Sequence, residues 1–187
     1  MAFEQVMYGL VNKAIEDLVT RNHGRGVWEQ VMATAGVSGP FVCMRQYPDD
    51  VTYRLVDAAG RVLGASSSDV LEALGEFWTS YTAREGYGDM LGLMGDNLVD
   101  FLNDLDNHHA RVGLSFPELR PPSFECQELE DGTLRLRYTS TRPGLAPLVV
   151  GLLRGLGKMF AEDLRIVHER SLGVGCDEFL IYRAGPT

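Results

Sequence analysis

The 187-residue chain has few cysteines and few positive charges, and each shortage excludes some classes of protein. Cys43, Cys126 and Cys176 are odd in number and widely spaced. They do not indicate a disulfide framework, and they fit the reducing environment of the cytoplasm. Lys and Arg number 17 against 26 Asp and Glu, a net charge of −9. This charge argues against binding to nucleic acid or to an anionic membrane surface.

Long hydrophobic runs and nucleotide-binding loops are also absent from the sequence. The longest apolar stretch, residues 145–160, is interrupted by Arg154 and Lys158 and is too short to span a bilayer. No signal peptide is apparent. The sequence has no G-x-x-x-x-G-K-[ST] loop and no G-x-G-x-x-G motif, and no Ser-His-Asp, Cys-His or paired-carboxylate set stands out. We therefore expect no nucleotide chemistry within this chain. The chain is also not expected to be an enzyme.

The hydrophobic content of 45% is enough to fill one domain, or two subdomains that share a core. Apolar periodicity predicts helices over residues 7–22, 27–35, 50–63, 70–85, 89–94, 96–112 and 145–160. It predicts strands over residues 124–128, 133–139, 163–169 and 178–183. The helix over 50–63 has an alternative, because its β-branched residues also suit a strand. This order of elements predicts an α+β fold, with a helical N-terminal part before a small antiparallel sheet and a packed helix.

Residues 133–137 alternate apolar and polar side chains as a half-buried strand does, and residues 138–142 follow them directly. If the strand continues to its end, Tyr138, Ser140 and Arg142 project from the same face. That face offers hydrogen-bond donors around a permanent positive charge, which suits a small ligand with one or two carboxylates. A Y-x-S-x-R pattern is also common by chance, and the alternative interpretation is an ordinary strand end.

The stretch 98–112 has an apolar helical stripe that includes a histidine. Its members are Leu98, Leu102, Leu105, His109 and Val112. His108 is turned about 100° from this stripe, and we expect it to be exposed. A histidine on an apolar face is usually a core residue. Beside a carboxylate-binding strand, however, His109 indicates a haem site, with imidazole on the iron and the Tyr-Ser-Arg face on the propionates.

These features occur within a longer set of motifs. The set comprises Met7-Tyr8-Gly9-Leu10-Val11-Asn12, Trp28, residues 105–117 (LDNHHARVGLSFP), residues 120–126 (RPPSFEC) and Tyr138-x-Ser140-x-Arg142. With them the chain resembles the haem–nitric oxide/oxygen binding (H-NOX) family, the haem domain of soluble guanylate cyclase and its bacterial relatives. We expect stand-alone cyanobacterial members to be the most similar. The family's ligand histidine lies three residues after the Asp of a Leu-Asp pair, which again selects His109.

The resemblance implies an H-NOX fold and one five-coordinate b-type haem. A distal helical subdomain over about residues 7–65 and a proximal subdomain over about 66–187, with a four-stranded sheet, would enclose it. Pro122 would press on the porphyrin and keep it bent. The distal pocket would be lined by Val11, Ile15, Trp78, Pro147 and Leu148. Oxygen-binding members have a Tyr near the last two positions, so this pocket is expected to favour nitric oxide and carbon monoxide. Trp78 is either an indole donor or a packing residue.

The expected function is therefore a haem-based gas sensor in which nitric oxide releases His109 from the iron. The chain is too short to include a cyclase or kinase domain, so we expect a separate partner such as a histidine kinase or a cyclic-nucleotide enzyme. The alternatives are a gas carrier or storage protein and, less well supported, a haem peroxidase. Two minor interpretations concern other residues: Gly151 and Gly155 indicate close helix packing, and zinc binding by His168 and Cys176 is disfavoured.

Overall fold

The computed structural model describes residues 6–82, 95–114 and 120–183. It divides into two compact units, residues 1–74 and 75–187. The predicted helix over 89–94 and the end of the helix predicted over 70–85 lie outside the described residues. Among the described helices, none is both long and apolar enough to cross a bilayer.

The first unit is a helical bundle with a short two-stranded ribbon. Its elements are β1 (Val6–Tyr8), α1 (Gly9–His23), α2 (Arg25–Ala35), β2 (Gln46–Pro48), α3 (Asp49–Leu63) and the start of α4 (Ser67–Thr82). The helical prediction for residues 50–63 is confirmed. A helical start at residue 7 is wrong, because β1 pairs antiparallel with β2. That pairing joins segments about 40 residues apart, so local periodicity does not reveal it.

Packing of α1 against α3 explains which α1 residues are buried. Ile15 and Leu55 are completely buried in the core of this unit. Asn12 is buried with them, and its side-chain oxygen accepts a 2.7 Å hydrogen bond from the Thr52 hydroxyl. The Ser66 and Asp69 side chains begin α4 with reciprocal hydrogen bonds to main-chain N–H groups. This is the capping arrangement that a Ser followed three residues later by an acid favours.

The second unit contains the predicted antiparallel sheet. Its elements are the end of α4, then α5 (Leu98–Gly113), β3 (Ser123–Glu128), β4 (Leu134–Thr139), α6 (Ala146–Met159), β5 (Leu164–Gly173) and β6 (Cys176–Arg183). The strand order is β3-β4-β6-β5, with every neighbouring pair antiparallel. Leu134, Leu136 and Phe179 on the inner face pack with apolar residues of α5 and α6. The α+β prediction is confirmed.

Helices α4 and α6 approach each other at glycines. A Cβ on Gly75 would lie 2.1 Å from the Leu148 carbonyl oxygen and 3.0 Å from the Gly151 carbonyl carbon. A Cβ on Gly155 would lie 2.5 Å from the Thr79 hydroxyl. Neither distance leaves room for a methyl group, so the two backbones can pack this closely only with glycine there. The prediction of close helix packing at Gly151 and Gly155 is confirmed.

Candidate functional site

Helix α5 carries His109 on the side that faces the sheet. Asn97 caps the helix by accepting a 3.0 Å hydrogen bond from the Asp100 N–H, and Leu98 and Leu102 anchor it in the core. The His109 ring is half-buried, and its centroid lies 6.0 Å from that of Phe124 on β3. The apolar stripe therefore brings His109 to the start of β3.

Asp106 ties α5 to β3 through both of its carboxylate oxygens. Oδ2 accepts a 2.6 Å hydrogen bond from the Ser123 hydroxyl, and Oδ1 accepts one of 2.9 Å from the Phe124 N–H. Asp106 lies one helical turn before His109, and Ser123 directly follows Pro122. The two hydrogen bonds thus hold the helix carrying His109 against the segment that contains Pro122.

The surroundings of His109 favour the neutral imidazole. Burial, followed by repulsion from a protonated His108, lowers the pKa of His109. The Asp106 charge and the nearby Pro122 main chain act in the opposite direction without reversing this effect. Its Nδ1 is buried and has no hydrogen-bond partner among the described residues. A half-buried neutral imidazole of this kind fits a metal ligand, because metals bind the neutral form.

Phe124 lies between His109 and Tyr138. Its ring centroid is 5.3 Å from that of Tyr138, its neighbour in the β3–β4 register. Tyr138 is buried, with only 3% of its surface exposed. The row of three rings places the candidate iron ligand and the first residue of the Tyr-Ser-Arg motif in one compact unit. Phe124 had no predicted role, although the alternation of β3 and β4 could have paired it with Tyr138.

The three residues of the Tyr-Ser-Arg motif meet through a turn and not through a continuous strand. Strand β4 ends at Thr139, as does the strand predicted over residues 133–139, and the extended backbone does not continue to Arg142. The reason is local: the Ser140 Oγ accepts a 3.1 Å hydrogen bond from the Arg142 N–H, a turn that serine favours two residues ahead. The Ser140 side chain also acts on the Tyr138 phenol and opposes the rise in its pKa that burial causes.

The Arg142 side chain is buried and held in place. Only 7% of the residue is exposed, and Nη1 donates a 2.9 Å hydrogen bond to the Arg120 carbonyl. Burial raises the pKa of Tyr138, while Ser140 and the Arg142 charge oppose that rise. The phenol therefore stays protonated near neutral pH. The motif presents hydroxyl groups and a guanidinium together, which is the donor set that a carboxylate requires.

The expectation of an exposed His108 is wrong. Only 9% of His108 is exposed, and its ring centroid lies 6.3 Å from that of His109. Burial and the Arg111 charge lower its pKa, and Asp104 opposes them. The prediction assumed that only the apolar stripe of α5 is buried. The buried face of α5 is wider than that stripe, so it also covers His108, which lies about 100° away.

The residues expected on the distal side fall in both units. Val11 is half-buried and Ile15 is buried on α1 of the first unit. Trp78 on α4 is half-buried, and its ring lies 6.2 Å from that of Tyr81. Pro147 and Leu148 are half-buried in the first turn of α6. Neither Pro147 nor Leu148 has a side-chain hydrogen-bond donor.

His168 and Cys176 do not meet at a metal-binding cluster. The His168 Nε2 lies 2.9 Å from Asp177 Oδ1, and its ring stacks on Phe179. The Cys176 Sγ instead lies 3.7 Å from the Thr139 hydroxyl. Among residues 6–82, 95–114 and 120–183, no three His, Cys, Asp or Glu side chains are grouped so that they could hold a metal ion.

The haem-NO-binding family profile matches residues 8–168. The chain belongs to the H-NOX family. Two similar relatives are Caenorhabditis elegans soluble guanylate cyclases: gcy-32, 37% identical over 166 residues (86% of this chain, 24% of the relative), and gcy-35, 34% identical over 170 residues (88% and 25%). The chain spans about a quarter of the length of these relatives.

Two solved structures have the same H-NOX fold. An H-NOX protein from S. oneidensis in the Fe(II)NO state superposes with a TM-score of 0.85 at 23% identity, covering 96% of this chain and 100% of that one. The unliganded Fe(II) H-NOX protein from K. algicida gives 0.82 at 19% identity, covering 96% and 98%. The half-buried His109 imidazole and the hydroxyl and guanidinium groups of the Tyr-Ser-Arg motif are chemically a donor set that fits haem.

Proposed function

We propose that this H-NOX chain binds haem b and acts as a sensor of nitric oxide and carbon monoxide, with no catalytic activity of its own. The row formed by the His109, Phe124 and Tyr138 rings is the observation that supports it, because it connects a metal-ligating imidazole to a carboxylate-binding motif. When bound, haem supplies an iron with an open coordination position for a diatomic gas.

His109 would be the only protein ligand to the iron. Its pKa is lowered, so the ring is neutral and ready to bind metal at physiological pH. Asp106 would set the position of the imidazole by fixing α5 to Ser123 and Phe124. Pro122 directly precedes Ser123. Its pyrrolidine ring would press on the porphyrin and keep it bent.

Tyr138, Ser140 and Arg142 would hold the two propionates. Arg142 supplies the permanent charge, and its buried guanidinium is already oriented by the Arg120 carbonyl. A preoriented cation loses little side-chain entropy when a carboxylate binds. The Tyr138 phenol and the Ser140 hydroxyl would add neutral hydrogen bonds beside it.

Val11, Ile15, Trp78, Pro147 and Leu148 would form the distal wall. Four of these side chains have no hydrogen-bond donor, and Trp78 would pack as a large apolar group. Bound dioxygen gains strongly from a donor, whereas nitric oxide and carbon monoxide need one much less. The distal wall would therefore select against oxygen.

Release of His109 would transmit the signal. The bond to the iron would then no longer fix α5, which would keep its core contacts and its Asp106 hydrogen bonds. With this one restraint removed, α5 could take a second position. The two proposed subdomains, about residues 7–65 and 66–187, would act as one sensor. The output would pass to a separate partner in the cytoplasm, such as a histidine kinase or a cyclic-nucleotide enzyme.

Absorption spectra of the purified ferrous protein before and after addition of nitric oxide test this function. We expect a five-coordinate ferrous spectrum that nitric oxide converts to a second five-coordinate form. A protein that binds no haem would contradict the proposal. Assaying candidate partner enzymes with and without gas distinguishes a sensor from a carrier, because a carrier would bind gas and leave every partner's activity unchanged.

A further inference from the structure

The turn that joins β5 to β6 packs directly against the Ser140 turn. The Ser140 main-chain N–H donates a 2.7 Å hydrogen bond to the Gly175 carbonyl. Gly175 has φ +75°, and a Cβ placed on it would lie 2.0 Å from the Ser140 carbonyl oxygen. That oxygen belongs to the main chain, so it cannot rotate away as the end of a flexible side chain could. Any side chain at position 175 would displace one of the two turns.

Ser140 in turn connects the other two residues of the motif. Its Oγ accepts the hydrogen bond from the Arg142 N–H, and Ser140 directly follows β4, the strand that carries Tyr138. A displacement of Ser140 would therefore alter the direction of both the phenol and the guanidinium. Because Arg142 and Tyr138 are buried, neither can compensate by swinging through solvent.

We infer that Gly175 is a positioning residue for Tyr138, Ser140 and Arg142. Its missing side chain lets the β5–β6 turn hold Ser140 where the three side chains converge on a pair of carboxylates. The inference rests on the proposed function, since those carboxylates are the propionates of haem. Gly175 itself contacts no ligand and acts through Ser140.

Gly132 provides a matched control for Gly175. It lies in the turn between β3 and β4 of the same sheet and has φ +81°, close to the value at Gly175. A Cβ on Gly132 would have no heavy atom within 4 Å. Gly175→Ala and Gly132→Ala therefore impose similar backbone strain, and only Gly175→Ala adds a clash with Ser140.

The first experiment times haem transfer from the reconstituted full chain to excess haem-free myoglobin. We expect Gly175→Ala to lose haem about tenfold faster than the unmodified protein, the factor for one misplaced charge-assisted hydrogen bond. Gly132→Ala should lose haem at the unmodified rate. In a Ser140→Ala background, Gly175→Ala should add less than about twofold, because residues that act through one group are not additive.

Equal haem loss from the two glycine variants would overturn the inference, because backbone strain alone would then explain it. Full additivity with Ser140→Ala would overturn it as well. If Gly175→Ala does not fold, the inference can still be tested on the unmodified protein. Amide hydrogen exchange of the haem-free unmodified protein should show Ser140 N–H protected by its bond to Gly175, and rapid exchange there contradicts the inference.

These results separate the inference from the proposed function. If the unmodified chain retains no haem, the proposed function fails while the exchange of the Ser140 amide still reports on the turn. If the chain retains haem and the two glycine variants behave alike, the proposed function survives and only the role of Gly175 is lost.

Discussion

The Asp106 carboxylate on α5 accepts a 2.6 Å hydrogen bond from the Ser123 hydroxyl at the start of β3. The same carboxylate accepts the Phe124 N–H, so one side chain fixes the helix of the candidate iron ligand to the edge strand of the sheet. The distance between His109 and the Tyr-Ser-Arg motif therefore depends on a polar contact as well as on the apolar core.

Asp106→Ala should loosen this junction. The free energy of unfolding should fall by about 1 kcal/mol, the typical net value of intramolecular hydrogen bonds, because the freed Ser123 and Phe124 donors can reach water. Asp104→Ala is the control, since Asp104 pairs with Arg111 on α5 itself. Hydrogen exchange should show the Phe124 amide less protected in Asp106→Ala than in Asp104→Ala. Equal protection in the two variants would show that Asp106 does not hold the junction.

Substitutions of the two adjacent histidines should separate their roles. His109→Gly should lose the iron–imidazole bond and regain it with added imidazole, as absorption spectra will show. His108→Ala should keep a normal Soret band, although it should lower the melting temperature because His108 is buried. The opposite pattern, with imidazole rescue only in the His108 variant, would make the assignment of His109 wrong.

Arg142→Ala should purify mostly without haem. The two propionates would lose their permanent positive partner, and partly buried charges left unpaired cost several kcal/mol. The haem-to-protein ratio of the purified variant measures the effect. Arg137→Ala is a matched control, because Arg137 lies on β4 with an exposed side chain paired with Glu125. Full haem occupancy of Arg142→Ala would count against the propionate role.

The ferrous protein should remain five-coordinate in air while it binds nitric oxide and carbon monoxide. A hydrogen bond to a strongly polarised acceptor is worth about 1.5–3 kcal/mol, or roughly 10–150-fold in affinity, and Pro147 and Leu148 cannot provide one. Leu148→Tyr should introduce oxygen binding, seen as an oxy spectrum in air. A stable oxy spectrum of the unmodified protein would be inconsistent with the proposed selectivity and would identify Trp78 as a donor.

Cys126 should resist alkylation until the protein unfolds. Burial, followed by the Glu128 charge, raises the pKa of the Cys126 thiol to about 11. The unfolded thiol ionises near pH 9, so this residue should destabilise the fold as pH rises from about 9 towards 11 and have no such effect below pH 9. Urea unfolding at pH 8 and pH 10.5 should show a smaller loss in Cys126→Ala than in the unmodified protein.

The elements that could be predicted from the sequence are those determined by residues close together in the chain. The stripe of α5, the alternation of β4 and the Ser66–Asp69 start of α4 follow from side chains within one or two turns of each other. The resemblance to H-NOX proteins added the family, and the match over residues 8–168 confirms it. The roles of the site residues stay predictions.

Features that depend on distant partners were not predictable from the sequence. The β1–β2 ribbon needs two segments about 40 residues apart, and the burial of His108 depends on what covers α5. The turn at Ser140 has a local cause instead. It begins directly after the strand predicted over residues 133–139, because a serine hydroxyl competes with the ladder for a main-chain N–H. The Tyr-Ser-Arg motif therefore spans a strand end and a turn.

The two glycines at the contact between α4 and α6, Gly155 and Gly75, differ in the atoms that a new side chain would meet. A Cβ on Gly155 would lie 2.5 Å from the Thr79 hydroxyl and 2.9 Å from the Glu76 main-chain carbonyl oxygen, so a smaller residue at 79 would remove only the first of these two clashes. Gly75 faces the main-chain carbonyl of Leu148, which every amino acid possesses. A smaller side chain at position 148 would leave that carbonyl in place, so it could not relieve the clash. We therefore expect glycine to be retained at position 75 while neighbouring positions vary.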